Sequence, residues 1–263
     1  MRISSVIILL SAIAFSGCDG ANNNANSNAN SSANSNANRV LDFKPPQPIK
    51  PLEAADPKFK FCNPYFPLVP GSTAKYVINY SSGITGDLTI IVDAADEGGR
   101  KVFTQRSQLI DRSGGMQITQ LIVRKFVCDG QRVIILSEKT ESNIAGQQST
   151  TEFDYRENSV MMTDPQSIAR TGTTWSQAFH MVVLNPGQPP ARSPDLTITV
   201  FEVNGPADVT TAVGTFKGVK ITRKIGENST TDYYVPGLGL VKRQAKEGTS
   251  WELKEYSGLK AMG

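Results

Sequence analysis

The chain of 263 residues carries 27 Lys and Arg against 24 Asp and Glu, a formal charge of +3, and one histidine. Its basic residues are interleaved with acidic ones, with no stripe or run, which excludes the electrostatic footprint of nucleic-acid binding. A single histidine excludes a His-cluster metal site, and the Gly-x-Ser-x-Gly elbow of a serine hydrolase is not in the sequence.

At the N-terminus, Arg2 supplies a minimal positive charge before Val6 to Phe15, an uncharged and mostly apolar stretch. Phe15-Ser16-Gly17-Cys18 then sets two small residues before a cysteine. This is the pattern of a bacterial lipobox, in which residues 1–17 are removed and Cys18 is acylated as the first mature residue. The apolar stretch is too short to span a bilayer, which needs roughly 20 residues. The competing reading is an ordinary cleaved secretory signal. Phe15 stands where Leu is usual, while the Gly-Cys junction and the polar tract behind it favour the lipobox. A diacylglyceryl thioether plus an N-acyl chain such as palmitate, at about 0.8 kcal/mol per buried methylene, anchors stably where one chain is marginal. The protein is therefore expected in the bacterial cell envelope. Asp19 resembles an enterobacterial inner-membrane retention signal, a rule that does not carry between bacterial groups, so the choice of membrane stays open.

Residues 18–57 read as the lipidated cysteine and a tether. From Ala21 to Asn38 only Asn, Ala and Ser occur, so the segment cannot bury enough apolar surface to offset the entropy of ordering. Its random-coil reach is roughly 25 Å. The prolines from Pro45 to Pro51 then favour extended polyproline II.

Residues 58–259 read as one domain, with 260–263 as a tail. Once Cys18 is acylated, Cys62 and Cys128 remain, an even pair suited to a disulfide in an oxidising compartment. A reactive thiol is the alternative, but no cationic, helical surroundings support it. Runs rich in Val, Ile, Thr, Tyr and Phe predict strands at 75–80, 88–94, 101–110, 117–127, 132–139, 150–156, 159–163, 196–203, 216–224, 231–235, 240–245 and 251–256. Ser82-Gly83, Glu97-Gly98-Gly99, Asp129-Gly130, Pro236-Gly237 and Glu247-Gly248 punctuate them with hairpin chemistry. Phe216, Val219 and Ile221 break alternation, and a bulge near Gly218 reconciles them. The polar stretch 164–177 is expected to hold a short helix, and the proline-rich 185–194 an ordered loop or lid. The expected class is all-β: a meandering antiparallel, strongly curved sheet, closed as a half-barrel, barrel or sandwich, with few or no helices.

No catalytic, cofactor or metal residue is nominated, and the chain is expected not to be an enzyme. His180 lies in the apolar run Phe179 to Leu184 and reads as a hydrogen-bonded structural residue. Gly237-x-Gly239 lacks the third glycine of a dinucleotide loop and runs into strand-like Leu-Val-Lys. Asp93, Asp96 and Glu97 offer oxygens for calcium, but Asp-Ala-Ala-Asp-Glu-Gly-Gly reads as a solvated hairpin tip.

Four blocks occur in order: Tyr65-Phe66-Pro67-Leu68 with Pro70-Gly71 and Tyr76; Gly172-Thr173-Thr174-Trp175; Val213-Gly214-Thr215-Phe216; and Tyr233-Tyr234 followed by Pro236-Gly237-Leu238-Gly239-Leu240-Val241-Lys242. Together they resemble a family of uncharacterised bacterial lipoproteins and exported β-proteins, with Lys75-Tyr76 in place of a second Trp and Val213 where Ala is common. Such proteins are loosely similar to the LolA/LolB-type envelope carriers, whose curved antiparallel sheets hold acyl chains and which also lay helices across the sheet. The resemblance implies no catalytic residues. It implies a non-enzymatic envelope module that binds an apolar ligand or a protein partner. For a ligand, an apolar concavity lined by residues such as Met116, Ile118, Met161 and Met162 is expected. The alternative is an assembly lipoprotein acting through strand edges, with an enzyme of unrecognised type behind it. The same blocks also have a structural reading, in which their aromatics are core and their glycines are turns.

Overall fold

The computed structural model describes residues 62–111, 118–144, 146–185 and 188–262; the signal, Cys18, the tether and Met116 lie outside them. The first strands are β1 (Thr73–Asn79), β2 (Thr85–Glu97), β3 (Arg100–Asp111), β4 (Ile118–Asp129), β5 (Arg132–Ile144), β6 (Gln147–Tyr155) and β7 (Val160–Met162). After the short helix α1 (Pro165–Ile168) come β8 (Thr174–Leu184), β9 (Ala191–Arg192), β10 (Thr197–Thr211) and β11 (Gly214–Ile225). The chain ends with β12 (Asn228–Val235), β13 (Gly239–Ala245) and β14 (Ser250–Ser257).

Antiparallel neighbours run from β1 through β6 and from β10 through β14, and β14 pairs back on β1. β8 completes the ring, with β6 on one side and β10 on the other, so twelve strands close into a barrel. β7 only extends the pairing of β5, and β9 that of β8. Closure as a full barrel decides among the three alternatives left open by the sequence.

Each expected strand is present, and the helix lies within the expected stretch. Asp164 caps it, accepting from the Ser167 amide at 2.9 Å and the Ser167 hydroxyl at 2.7 Å, with Pro165 at its start. The strands that were not expected are β8 and the two-residue β9, which falls within the stretch expected as a loop. The bulge also lies elsewhere: the register shifts on β10 between Val203 and Gly205, not at Gly218. Gly218 answers a different demand, since a Cβ there would sit 2.4 Å from the Tyr234 carbonyl oxygen.

Side chains alternate between the two faces of every strand, and the outer face is charged. Arg106 pairs with Asp93 at 3.0 Å, Lys125 with Glu97 at 2.9 Å, Lys139 with Glu141 at 2.8 Å and Lys224 with Glu202 at 3.3 Å. Such a surface is the reverse of a membrane-spanning barrel, whose outer band is apolar.

One end of the lumen is plugged. Phe103, Phe126, Ile135, Phe201, Val203 and Tyr234 from the strands bury against Leu68 and against Ile168 of α1. The segment after Cys62 runs beneath this plug. Asn63 is buried and donates to the carbonyls of Gln131 (2.9 Å) and Thr163 (2.7 Å), Phe66 meets Phe126 edge-on at 5.2 Å, and a disulfide joins Cys62 to Cys128. The β12–β13 turn is clamped here from two sides. The Gly237 amide donates to the Pro64 carbonyl at 2.7 Å, and the Met262 amide to that of Pro236 at 2.9 Å. Gly237 has φ 81°, and a Cβ on it would fall 2.0 Å from the Lys260 carbonyl oxygen.

Gly237→Ala is therefore expected to destabilise the barrel by about 2–4 kcal/mol, combining left-handed strain with overpacking against backbone. Gly130→Ala is the control: its φ is 59°, but nothing lies within 4 Å of the added methyl, so only the conformational cost of about 1 kcal/mol applies. Equal urea midpoints for the two variants would refute the clamp.

Candidate functional site

Eight strands enclose an interior that side chains just fill, and a twelve-stranded barrel is wider. Above the plug the inward positions mix buried apolar side chains, such as Leu88, Leu109, Ile122 and Leu253, with polar and charged ones. Arg124 on β4 lies opposite Glu138 on β5 and grips it through Nε–Oε2 at 2.8 Å and Nη2–Oε1 at 3.1 Å. Tyr155 on β6 donates its hydroxyl to Glu138 Oε2 at 3.1 Å. The Arg124 side chain keeps 17% of its surface accessible even though it points inward.

A second pair occupies β12 and β13, where Arg243 grips Asp232 through Nε–Oδ1 at 2.6 Å and Nη2–Oδ2 at 2.7 Å. Tyr234 donates to Asp232 Oδ2 at 3.3 Å, and the Arg243 guanidinium lies 4.5 Å over the ring of Trp251. Burial opposes the charge on Arg243, but the attraction of Asp232 outweighs it and raises the guanidinium further. Arg124 is raised in the same way by Glu138 against the cost of burial. Burial, and then the Glu138 charge, raise Tyr155 far above the ordinary phenol range, so it remains a donor.

Arg223 on β11 is the third inward guanidinium and has no comparable partner. Burial first, then the field of Arg243, push it down to about 10 against the opposing pull of Asp232, which leaves it charged at neutral pH. Its Nη2 is buried without a hydrogen-bond partner among the described residues. The register fixes its neighbours: Trp175 on β8, Phe201 on β10, Arg223 on β11 and Thr230 on β12 form one row across the inner wall. Trp175 and Phe201 stack face to face, 5.0 Å apart and 5° from parallel. Trp175 Nε1 and Thr230 Oγ1 are buried without partners as well. Two more such atoms, Ser107 Oγ and Thr140 Oγ1, face the lumen from either side of Ile122. Buried polar groups are nearly always satisfied, and these five atoms, on β3, β5, β8, β11 and β12, have no hydrogen-bond partner among the described residues.

An aromatic lane adjoins the row. Phe179 on β8 contacts Phe153 (5.4 Å) and Tyr155 (5.2 Å) of β6, and half-buried Met181 and Val183 continue along β8 toward the end away from the plug. Both carboxylates of the cluster are engaged by guanidinium forks.

Of the residues expected to line a concavity, Met116 lies outside the described residues, and Ile118 does not converge with Met161 and Met162. Met162 is buried in the plug; Met161 lies beside it, its Sδ 3.4 Å from Gln177 Nε2; Ile118 sits at the far end of β4 from Phe126. His180 is on the outer face, its Nδ1 3.2 Å from the Ser193 carbonyl oxygen. Asp93 and Glu97 are ion-paired to different strands, and among the described residues no three His, Cys, Asp or Glu gather as a metal site. The missed residues did leave a signal. Arg124 is in phase with Ile122 and Phe126, Arg223 with Ile221, and Arg243 with Val241, each a charge at a core-phase position.

No protein-family model matches the chain, and neither does any curated protein. Two solved structures are similar. One is described as an exported protein with a YmcC-like fold from Bacteroides fragilis NCTC 9343, at 13% identity and a TM-score of 0.49, covering 74% of this chain and 100% of that one. The other is described as a lipoprotein from Parabacteroides distasonis ATCC 8503, at 12% identity and a TM-score of 0.44, covering 75% of this chain and 100% of that one.

Proposed function

We propose that the protein is a lipid-anchored, non-enzymatic module of the bacterial envelope that holds a ligand in the lumen of its barrel. The observation that carries this reading is the inner wall at and above the plug, where five buried polar atoms have no partner among the described residues. The lipobox at Cys18 and the tether behind it support the membrane attachment.

The strand-edge alternative draws on β10. Its outer face exposes Ile198 (52%) and Val200 (38%), and β8 pairs with it only as far as Glu202. Closure of the ring removes the long edges that this alternative needs elsewhere.

The test is native mass spectrometry of the full chain, exported and extracted in mild non-ionic detergent. A bound mass that leaves on denaturation is expected. A folded chain that stays bare, even after incubation with total envelope lipid, would overturn the ligand reading. Alkynyl-palmitate labelling of the same chain should vanish in Cys18→Ala, and persistence of the label would overturn the anchor.

A further inference from the structure

We infer that Arg223 is the centre of an anion site in the lumen, and that the ligand is an amphiphile with a carboxylate or phosphate head on an apolar body. This rests on the lumen-binding reading above and adds the chemical class of the ligand.

Charge balance leads to the head group. Arg124, Arg223 and Arg243 point into the same part of the lumen, close enough for the fields of Arg124 and Arg243 to act on Arg223. Against them stand two carboxylates, and each is already gripped by a guanidinium fork: Glu138 by Arg124 and Asp232 by Arg243. A further inward acid, Asp111, lies at the far end of β3, where its charge acts on Tyr80. One positive charge in the cluster is therefore left over, and it sits on Arg223.

Donor chemistry leads to the same place. In the row Trp175–Phe201–Arg223–Thr230, the unpartnered Trp175 Nε1 and Arg223 Nη2 have hydrogens to give and no lone pair to offer. The complement of such a row is an acceptor, and a surplus guanidinium selects an anionic one. The apolar body follows from what continues beside the row: Phe179, Met181 and Val183 line the inner face of β8 away from the plug. A head seated at Arg223 would lay its tail along this lane.

The chain has only two tryptophans, Trp175 and Trp251, and both belong to the inner wall around this cluster. Their fluorescence is therefore a direct probe. The full chain in phosphatidylcholine nanodiscs is titrated with 9,10-dibromostearate, whose bromines quench on contact, with its uncharged methyl ester, and with the brominated lysophosphatidic acid. Saturable quenching by at least one anion is expected, at an affinity about tenfold or more above that of the ester. The better of the two anions tells whether the head is a carboxylate or a phosphate. Arg223→Gln should bring the anion down to the affinity of the ester, and Arg223→Lys should keep a preference for the anion. The comparison of acid with ester needs no variant, so misfolding of a variant does not spoil it. Equal affinities of acid and ester would overturn the anion site while the lumen reading stands. Failure of every probe to quench would overturn this inference alone if native mass spectrometry still shows a bound mass, and the lumen reading with it if the chain is bare.

Discussion

Asp232→Ala is expected to lower the stability of the barrel by about 3–5 kcal/mol, the usual cost of leaving a buried charge without its partner. The Asp232 side chain is 1% exposed and that of Arg243 8%, so water cannot take over the role of the carboxylate. The loss also spreads. Asp232 accepts from Tyr234 and is the anion whose pull supports Arg223. Without it, three guanidiniums face the single carboxylate of Glu138. Removing both partners separates this penalty from the worth of the pair. Asp232→Ala with Arg243→Met takes both charges out of the wall and should recover most of the loss, leaving the cost of the freed Tyr234 hydroxyl and of the contact with Trp251. Urea midpoints are the measurement, because an ionic denaturant would screen the effect. A double variant as unstable as the single one would sink the account. Asp208→Ala is the control: its pairing with Lys217 is largely exposed, and no measurable change is expected.

That polar wall also explains what the sequence hid. The strands were legible because Val, Ile, Thr, Tyr and Phe recur between glycine turns. Closure was not, because it depends on β8. The inward side of β8 mixes Gln177 with Trp175, Phe179 and Met181, its outward side holds half-buried Val182, and β9 intervenes in the chain between it and its partner β10. The second half of β5 shows the difficulty most plainly. Ser137 to Ser142 contains no apolar residue, since Glu138, Thr140 and Ser142 face a polar lumen and Lys139 and Glu141 face water. Alternation has nothing to alternate there, and the sequence reading stops the strand at Lys139 while pairing continues to Ile144. For the same reason the site residues look like solvated charges. Only their phase with apolar neighbours two positions away marks them as inward. Three of the four sequence blocks were easier to see because they form joints. Pro64 and Pro67 meet Gly237 and Gly239, and Gly172 and Thr173 exchange backbone hydrogen bonds with Val203 at the β8–β10 seam. Those contacts give these three blocks core and turn roles, as their structural reading expects.

The joint beneath the plug carries the other large effect. Replacing Cys62 and Cys128 together by Ala is expected to cost about 4 kcal/mol on the chain-entropy account, since the bridge closes a separation of 66 residues that includes the first four strands. The effect should also have a location. The segment held by the bridge delivers Leu68 into the plug and Phe66 onto Phe126. Its freeing should therefore raise hydrogen exchange first in residues 62–72 and in the β12–β13 turn that Pro64 holds, before the far ends of β3 and β4 respond. Asn63 fastens the same segment with two hydrogen bonds from one buried side chain, so Asn63→Ala alone should cost about 1–3 kcal/mol. Two fasteners on one segment do not act independently. Once the bridge is gone the segment already opens, and the added loss from Asn63→Ala should shrink to a fraction of its value in the bridged protein. Full additivity in the triple variant would show instead that the segment stays docked without its disulfide, and that the plug side chains alone hold that end of the barrel.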